Sequence, residues 1–162
     1  MRREVHVLSD KVKSEIQQLK ARYPHPNSAL LPALALAQKE HGWLSPEVLE
    51  EVAEVMGLSP AQVGSVASFY TMFNRRPVGK YLIQVCTNVT CSLLGAEHLV
   101  DHLKQKLGIG VGETTPDGRF TLLEVECLGS CGTAPVMQIN DTYYENLTAE
   151  KVDQILAELR SR

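Results

Sequence analysis

Tyr81-Leu82-Ile83-Gln84-Val85-Cys86-Thr87-Asn88-Val89-Thr90-Cys91 and, further along, Phe120 through Glu126 into Cys127-Leu128-Gly129-Ser130-Cys131 are the stretches that decide the fold. Each is an apolar, β-favouring run that delivers one cysteine at its end and a second a few residues later. Between them, residues 95–107 place Ala96, Leu99, Val100, Leu103 and Leu107 on one helical stripe, closed by Gly108. A strand–helix–strand order joins parallel strands, so both strands end at the same edge of the sheet. Cys86 and Cys127 are thereby predicted at one rim, with Cys91 and Cys131 in the loops that follow.

The surrounding elements complete this half. Pro116-Asp117-Gly118 reads as a turn, and the second strand has Leu123 and Val125 on one face. Val136–Ile139 and Thr142–Glu145 flank Asn140-Asp141 as a hairpin, and residues 148–160 form a last helix striped by Val152, Ile155, Leu156 and Leu159. A small sheet with helices packed on it follows, an α/β (α+β) arrangement.

The other half reads as helices. Val12, Ile16 and Leu19 stripe residues 9–22, which end at Tyr23-Pro24-His25-Pro26. Residues 28–41 carry Leu30, Leu31, Leu34 and Leu36 among alanines with little polar face, which predicts a largely buried helix; Pro32 sits near its start. Ser45-Pro46 and Ser59-Pro60 are N-cap and first-position pairs, Ser59 and Gln62 have capping-box spacing, and Gly57 closes the helix that Ser45 opens. A helical bundle over roughly 9–73 is expected, with the boundary between halves near Arg76-Pro77-Val78-Gly79, dividing the chain into 1–78 and 79–162. Phe69, Tyr70, Met72 and Phe73 crowd together at its end. Core packing is their simplest reading, and a partner-facing patch the sharper one. His41 and Trp43 read as packing residues.

Composition narrows the function. The 162 residues are 44% hydrophobic and 22% charged, which excludes disordered and fibrous architectures. No run is long and apolar enough for a membrane helix, and Met1-Arg2-Arg3-Glu4 is no start for a signal peptide, so a soluble intracellular chain is expected. The net charge of −3 speaks against nucleic acid, but it is uneven. Residues 1–80 hold ten Lys/Arg against eight Asp/Glu, whereas residues 81–162 hold six against eleven together with all four cysteines.

Three chemistries suit Cys-x4-Cys followed by Cys-x3-Cys. A disulfide framework fits poorly in a chain of this size without a secretion signal. Structural zinc accepts four thiolates but favours Cys-x2-Cys knuckles, which neither loop has. An iron–sulfur cluster suits soft thiolate donors, and two irons span more than one ion, so longer loops are natural. Gly129 and Gly132 leave backbone amides room to approach sulfur, although each could serve a tight turn alone. Dithiol exchange is disfavoured because Cys-x-x-Cys is absent. His98 and His102 lie opposite the apolar stripe of their helix and read as solvent-facing residues. No phosphate loop, Ser/His/Asp set or paired carboxylate suggests a substrate site.

Val66-Ala67-Ser68-Phe69-Tyr70-Thr71-Met72-Phe73, Cys86-Thr87-Asn88-Val89-Thr90-Cys91, Gly112-Glu113-Thr114-Thr115-Pro116-Asp117-Gly118 and Cys127-Leu128-Gly129-Ser130-Cys131-Gly132-Thr133-Ala134-Pro135 closely resemble one family. It is the thioredoxin-like [2Fe-2S] subunit of respiratory NADH:quinone oxidoreductase (complex I), and the likeness runs from about residue 10 to 160. The resemblance implies an N-terminal helical bundle followed by a thioredoxin-like [2Fe-2S] ferredoxin domain. It implies that Cys86, Cys91, Cys127 and Cys131 ligate one [2Fe-2S] cluster. Pro135 precedes the Val136 strand, a place where thioredoxin-like folds carry a cis-proline, and an ordinary trans-proline at a strand start is the other reading. It also implies a large partner subunit that binds FMN and NADH, inside a multi-subunit complex peripheral to the inner membrane on the cytoplasmic side. NADH would pass a hydride to that flavin, which releases single electrons to this cluster. Related subunits serve NAD-linked formate dehydrogenases and NAD-reducing hydrogenases. Short ends favour a bacterial type. A zinc-stabilised binding module is the alternative of a different class. Glu124 and Glu126 beside Cys127 are expected to lower the cluster potential by opposing reduction.

Overall fold

In a computed structural model of the chain, residues 7–162 are described. The signal-peptide reading of residues 1–4 lies outside them. The chain forms two compact units, one ending at Pro77 and one spanning Val78–Arg162.

In the first unit, α1 (Asp10–Lys20), α2 (Leu30–His41), α3 (Pro46–Met56) and α4 (Pro60–Phe69) follow one another, with a 3-10 turn at Pro26–Ala29. The predicted caps form. Ser45 Oγ accepts the Val48 N–H at 3.2 Å; Ser59 Oγ accepts the Gln62 N–H at 3.3 Å while Gln62 Oε1 accepts the Ser59 N–H at 3.0 Å. Gly57 ends α3 with φ of 69°, a conformation that favours glycine. Ile16, Leu34, Leu44, Val48, Val52, Met56 and Val63 fill the core. The buried Glu51 carboxylate accepts the Val7 and Leu8 N–H groups at 2.8 and 2.6 Å and pairs with Lys13 Nζ at 2.5 Å, tying the segment before α1 to α3.

The aromatic segment departs from its simplest reading. α4 stops at Phe69, and Tyr70 is extended. Gln38 redirects the chain: its Nε2 donates to the Met72 carbonyl at 3.0 Å and its Oε1 accepts the Asn74 N–H at 2.6 Å. Phe73 is thereby turned into the core at 6% exposure, while Phe69 and Met72 stand out at 77% and 55%. Core packing holds for Phe73 and fails for Phe69, Tyr70 and Met72.

The second unit is a four-stranded sheet of order β2-β1-β3-β4, with β1 at Tyr81–Cys86, β2 at Phe120–Val125, β3 at Met137–Ile139 and β4 at Thr142–Tyr144. β1 and β2 are parallel, pairing Tyr81 with Phe120 through Cys86 with Val125. β3 lies antiparallel to β1 and to β4, across a two-residue turn in which Asn140 has φ of 52°. The Asn140 side chain stitches this turn to β1, accepting from Leu82 N at 2.9 Å and donating to the Lys80 carbonyl at 3.0 Å. Period-two alternation sends Tyr81, Ile83, Val85, Phe120, Leu122, Met137 and Ile139 into one core with the stripes of α6 (Ala96–Leu107) and α7 (Ala149–Ser161). On β2 the core face is thus Phe120 and Leu122; Leu123 and Val125 lie on the other face, half-buried. His98 is exposed, but His102 is not solvent-facing: its Nε2 sits 2.8 Å from Asp153 Oδ1 because α7 flanks that side of α6.

Candidate cluster site

The rim predicted from the parallel strands exists. Cys86 is the last residue of β1, and Cys127 lies two residues beyond β2, whose last residue pairs with Cys86. The ladder continues past both ends, with Cys86 N donating to the Val136 carbonyl and Thr87 N to the Val125 carbonyl, each at 3.1 Å. These bonds hold the two loops side by side. After Cys86 the chain enters a one-turn helix, α5 (Val89–Leu93), that carries Cys91. Cys131 begins a 3-10 turn, Cys131–Thr133. The Ala134–Pro135 bond that follows is cis.

The four thiols are free and divide by environment: Cys86 and Cys91 are buried, Cys127 and Cys131 exposed. The buried pair packs with Ala96 and Val136, bordered by Leu128 and Ala134. Burial opposes ionisation of Cys86, but the backbone N–H groups of Asn88 and Leu128 and the thiols of Cys91 and Cys127 outweigh it and hold this thiol below its ordinary range. Burial pushes Cys91 up, reinforced by Cys86, with the Val136 N–H opposing and Cys131 near enough to add to the rise. Gly129, at φ of 73°, brings its N–H to 3.3 Å from Cys127 Sγ. Backbone donors therefore face three of the four sulfurs, an arrangement that suits thiolate ligands whose charge must be shared. Among the described residues, no three His, Cys, Asp or Glu side chains are gathered tightly enough to hold one metal ion. His98 and His102 lie on α6 and take no part in this rim.

The loop carrying Cys127 and Cys131 is braced from the β4 side, which local sequence pattern did not reveal. Tyr143 Oη donates to the Leu128 carbonyl at 3.0 Å. Glu145 Oε1 accepts from Ser130 Oγ at 2.6 Å and Thr133 Oγ1 at 2.7 Å, and these hydroxyls hold its carboxyl below the usual range. These partners are 12 to 15 residues apart, beyond any periodicity signal. Glu124 and Glu126 are exposed, and Glu124 is close enough to Lys104 to help raise that ammonium group. Val89, Leu93 and Leu94 leave apolar side chains in solvent on and beside α5.

Comparison with known proteins finds relatives along most of the chain. An E-type NADH-quinone oxidoreductase subunit of Rhizobium meliloti (strain 1021) is 51% identical over 150 residues, 93% of this chain and 89% of that protein. NADH-quinone oxidoreductase subunit 2 of Thermus thermophilus is 47% identical over 149 residues, 90% of this chain and 82% of that protein. The mitochondrial NADH dehydrogenase [ubiquinone] flavoprotein 2 of Dictyostelium discoideum is 45% identical over 91% of this chain and 61% of its own length. A crystal structure of NAD+-reducing [NiFe]-hydrogenase in the H2-reduced state superposes with a TM-score of 0.71 at 26% identity, covering 80% of this chain and 22% of that longer one. A thioredoxin-like [2Fe-2S] ferredoxin family profile matches residues 16–160, and by that match, on top of the sheet and rim described above, this chain belongs to the thioredoxin-like [2Fe-2S] ferredoxin family.

Proposed function

We propose that this chain is the electron-transfer subunit of an NADH:quinone oxidoreductase and that Cys86, Cys91, Cys127 and Cys131 together ligate one [2Fe-2S] cluster. The observation that carries this reading is the meeting of two cysteine loops at one sheet edge, with N–H groups facing Cys86, Cys91 and Cys127. Each iron of such a cluster needs two protein thiolates, a weaker demand than four donors closing on one zinc ion. When bound, the cluster would supply a one-electron site.

The chain's own residues divide the remaining work. Cys86 and Cys91 sit in an apolar pocket that excludes water, while Cys127 and Cys131 face outward, the side from which a redox partner would approach. Exposed Val89, Leu93 and Leu94 beside the buried pair support a protein contact there, since interface cores are apolar. The partner proposed is a large subunit carrying FMN and the NADH site, within a multi-subunit assembly at the cytoplasmic side of the inner membrane. Among the described residues no helix is long and apolar enough to cross a membrane. The same role in an NAD-reducing hydrogenase is the second reading, favoured by the structural match to such an enzyme.

Anaerobic purification with visible absorption, iron and acid-labile sulfide assays tests the cluster. A coloured protein with two irons and two sulfides per chain is expected. A colourless protein holding one zinc and no sulfide would overturn it. The large subunit that co-purifies distinguishes the host assemblies.

A further inference from the structure

Of the four cysteines, Cys131 has the least to hold it. Cys86 and Cys91 are fixed by burial and Cys127 by the Gly129 N–H, but Cys131 is exposed and starts a three-residue turn between Ser130 and Thr133. Packing does not set its direction, so the turn itself must be held. Both residues that bracket the turn donate their hydroxyls to one oxygen of Glu145. The backbone beyond Glu145 continues the brace: Asn146 N donates to the Thr133 carbonyl at 2.7 Å and Leu147 N to the Pro135 carbonyl at 3.0 Å. Lys151 Nζ holds the Glu145 carbonyl at 2.5 Å, anchoring the clamp to α7. The Thr133 N–H closes the turn's backbone on the Ser130 carbonyl at 3.1 Å, while the two hydroxyl oxygens lie 2.7 Å apart and Glu145, accepting from both, ties the side chains on either side of Cys131 to β4 and α7.

We propose that Glu145 is a positioning residue for the cluster: through Ser130 and Thr133 it fixes the turn that presents Cys131. This rests on the ligand assignment above. Backbone bonds within the turn and from 146 and 147 survive any substitution at 145, so its loss removes the side-chain clamp and loosens the turn without dismantling the sheet.

The test uses the full chain, purified anaerobically, as wild type, Glu145→Ala, Glu145→Gln and the double variant Ser130→Ala/Thr133→Val. Outer partners of metal ligands typically change affinity by about ten- to a hundredfold. Glu145→Ala and the double variant should therefore release iron to a chelator about tenfold faster and alter the electron paramagnetic resonance spectrum of the reduced cluster. Glu145→Gln keeps an acceptor oxygen and should restore most of the wild-type behaviour. Far-UV circular dichroism should be unchanged throughout. A wild-type spectrum and release rate in both disrupting variants would overturn the proposal. If the wild type itself carries no cluster, the ligand assignment fails instead, and a second readout decides the turn. Alkylation of Cys131 relative to Cys127, mapped by mass spectrometry, should accelerate severalfold in Glu145→Ala, and an unchanged ratio would refute the clamp.

Discussion

Replacing Gly79 by alanine isolates one steric contact on which the parallel pairing rests. A Cβ built there would lie 2.8 Å from Phe120 N and 2.9 Å from Arg119 C and O, all main-chain atoms of the neighbouring strand entry. Backbone cannot rotate aside as a side-chain tip would, so the two chains must part by roughly half an ångström. The bonds that would stretch are Gly79 N to Thr121 Oγ1 at 2.6 Å, Lys80 N to the Gly118 carbonyl at 3.1 Å and Tyr81 N to the Arg119 carbonyl at 2.8 Å. Overpacking costs about 1–3 kcal/mol, and one weakened hydrogen bond adds about 1 kcal/mol, so a loss of about 3 kcal/mol is expected. For a unit the size of Val78–Arg162 this is a fall in Tm of roughly 10–20 °C. Gly64→Ala is the control: it sits within α4, its Cβ meets nothing within 4 Å, and it should gain about 0.5–1 kcal/mol by propensity. Urea unfolding followed by far-UV circular dichroism measures both. Equal effects of the two substitutions, or a Gly79→Ala protein within about 0.5 kcal/mol of wild type, would refute the steric reasoning.

Three further outcomes are expected. Phe73→Ala should cost about 3 kcal/mol because it empties a core position, while Phe69→Ala should leave thermal stability within about 0.5 kcal/mol; the melting curves of the two variants give the comparison. Glu51→Ala should destabilise by about 2 kcal/mol, since it strands the buried Leu8 N–H and the half-buried Val7 N–H, and chemical denaturation should show it as a lower midpoint with unchanged slope. Asp153, held below the usual carboxylate range by Lys106 and then His102, binds protons less readily folded than unfolded. Its contribution is therefore fully present above its ordinary value near 3.8 and fades as the pH falls through the lower folded value. Asp153→Asn should lower Tm at pH 7 and converge with wild type in strongly acidic buffer.

Local signals were legible wherever one residue type performs one backbone task. Ser45-Pro46, Ser59-Pro60, Gly57 and Gly108 punctuate helices in the structure as their chemistry requires. The strand–helix–strand order was enough to bring Cys86 and Cys127 to one rim, because parallel pairing leaves little freedom. Exposure was not legible: Phe69 and Phe73 are the same residue type four positions apart, and their fates differ because Gln38, on another helix, turns the chain between them. α5 also escaped notice, being five residues long with no side-chain cap from Asn88. His102 and Glu145 were misplaced or missed for a common reason, as their partners, Asp153 and Ser130, arrive from distant sequence.

The parallel register of β1 with β2 sets the order in which this protein can be made. The helices of the first unit close through neighbours in sequence and can form early, whereas Cys86 must wait for Val125 to be synthesised and paired. Shelter for Cys86 therefore comes only once the second strand has been made and paired, and in the finished fold Cys127 and Cys131 are the thiols that stay open to oxidants.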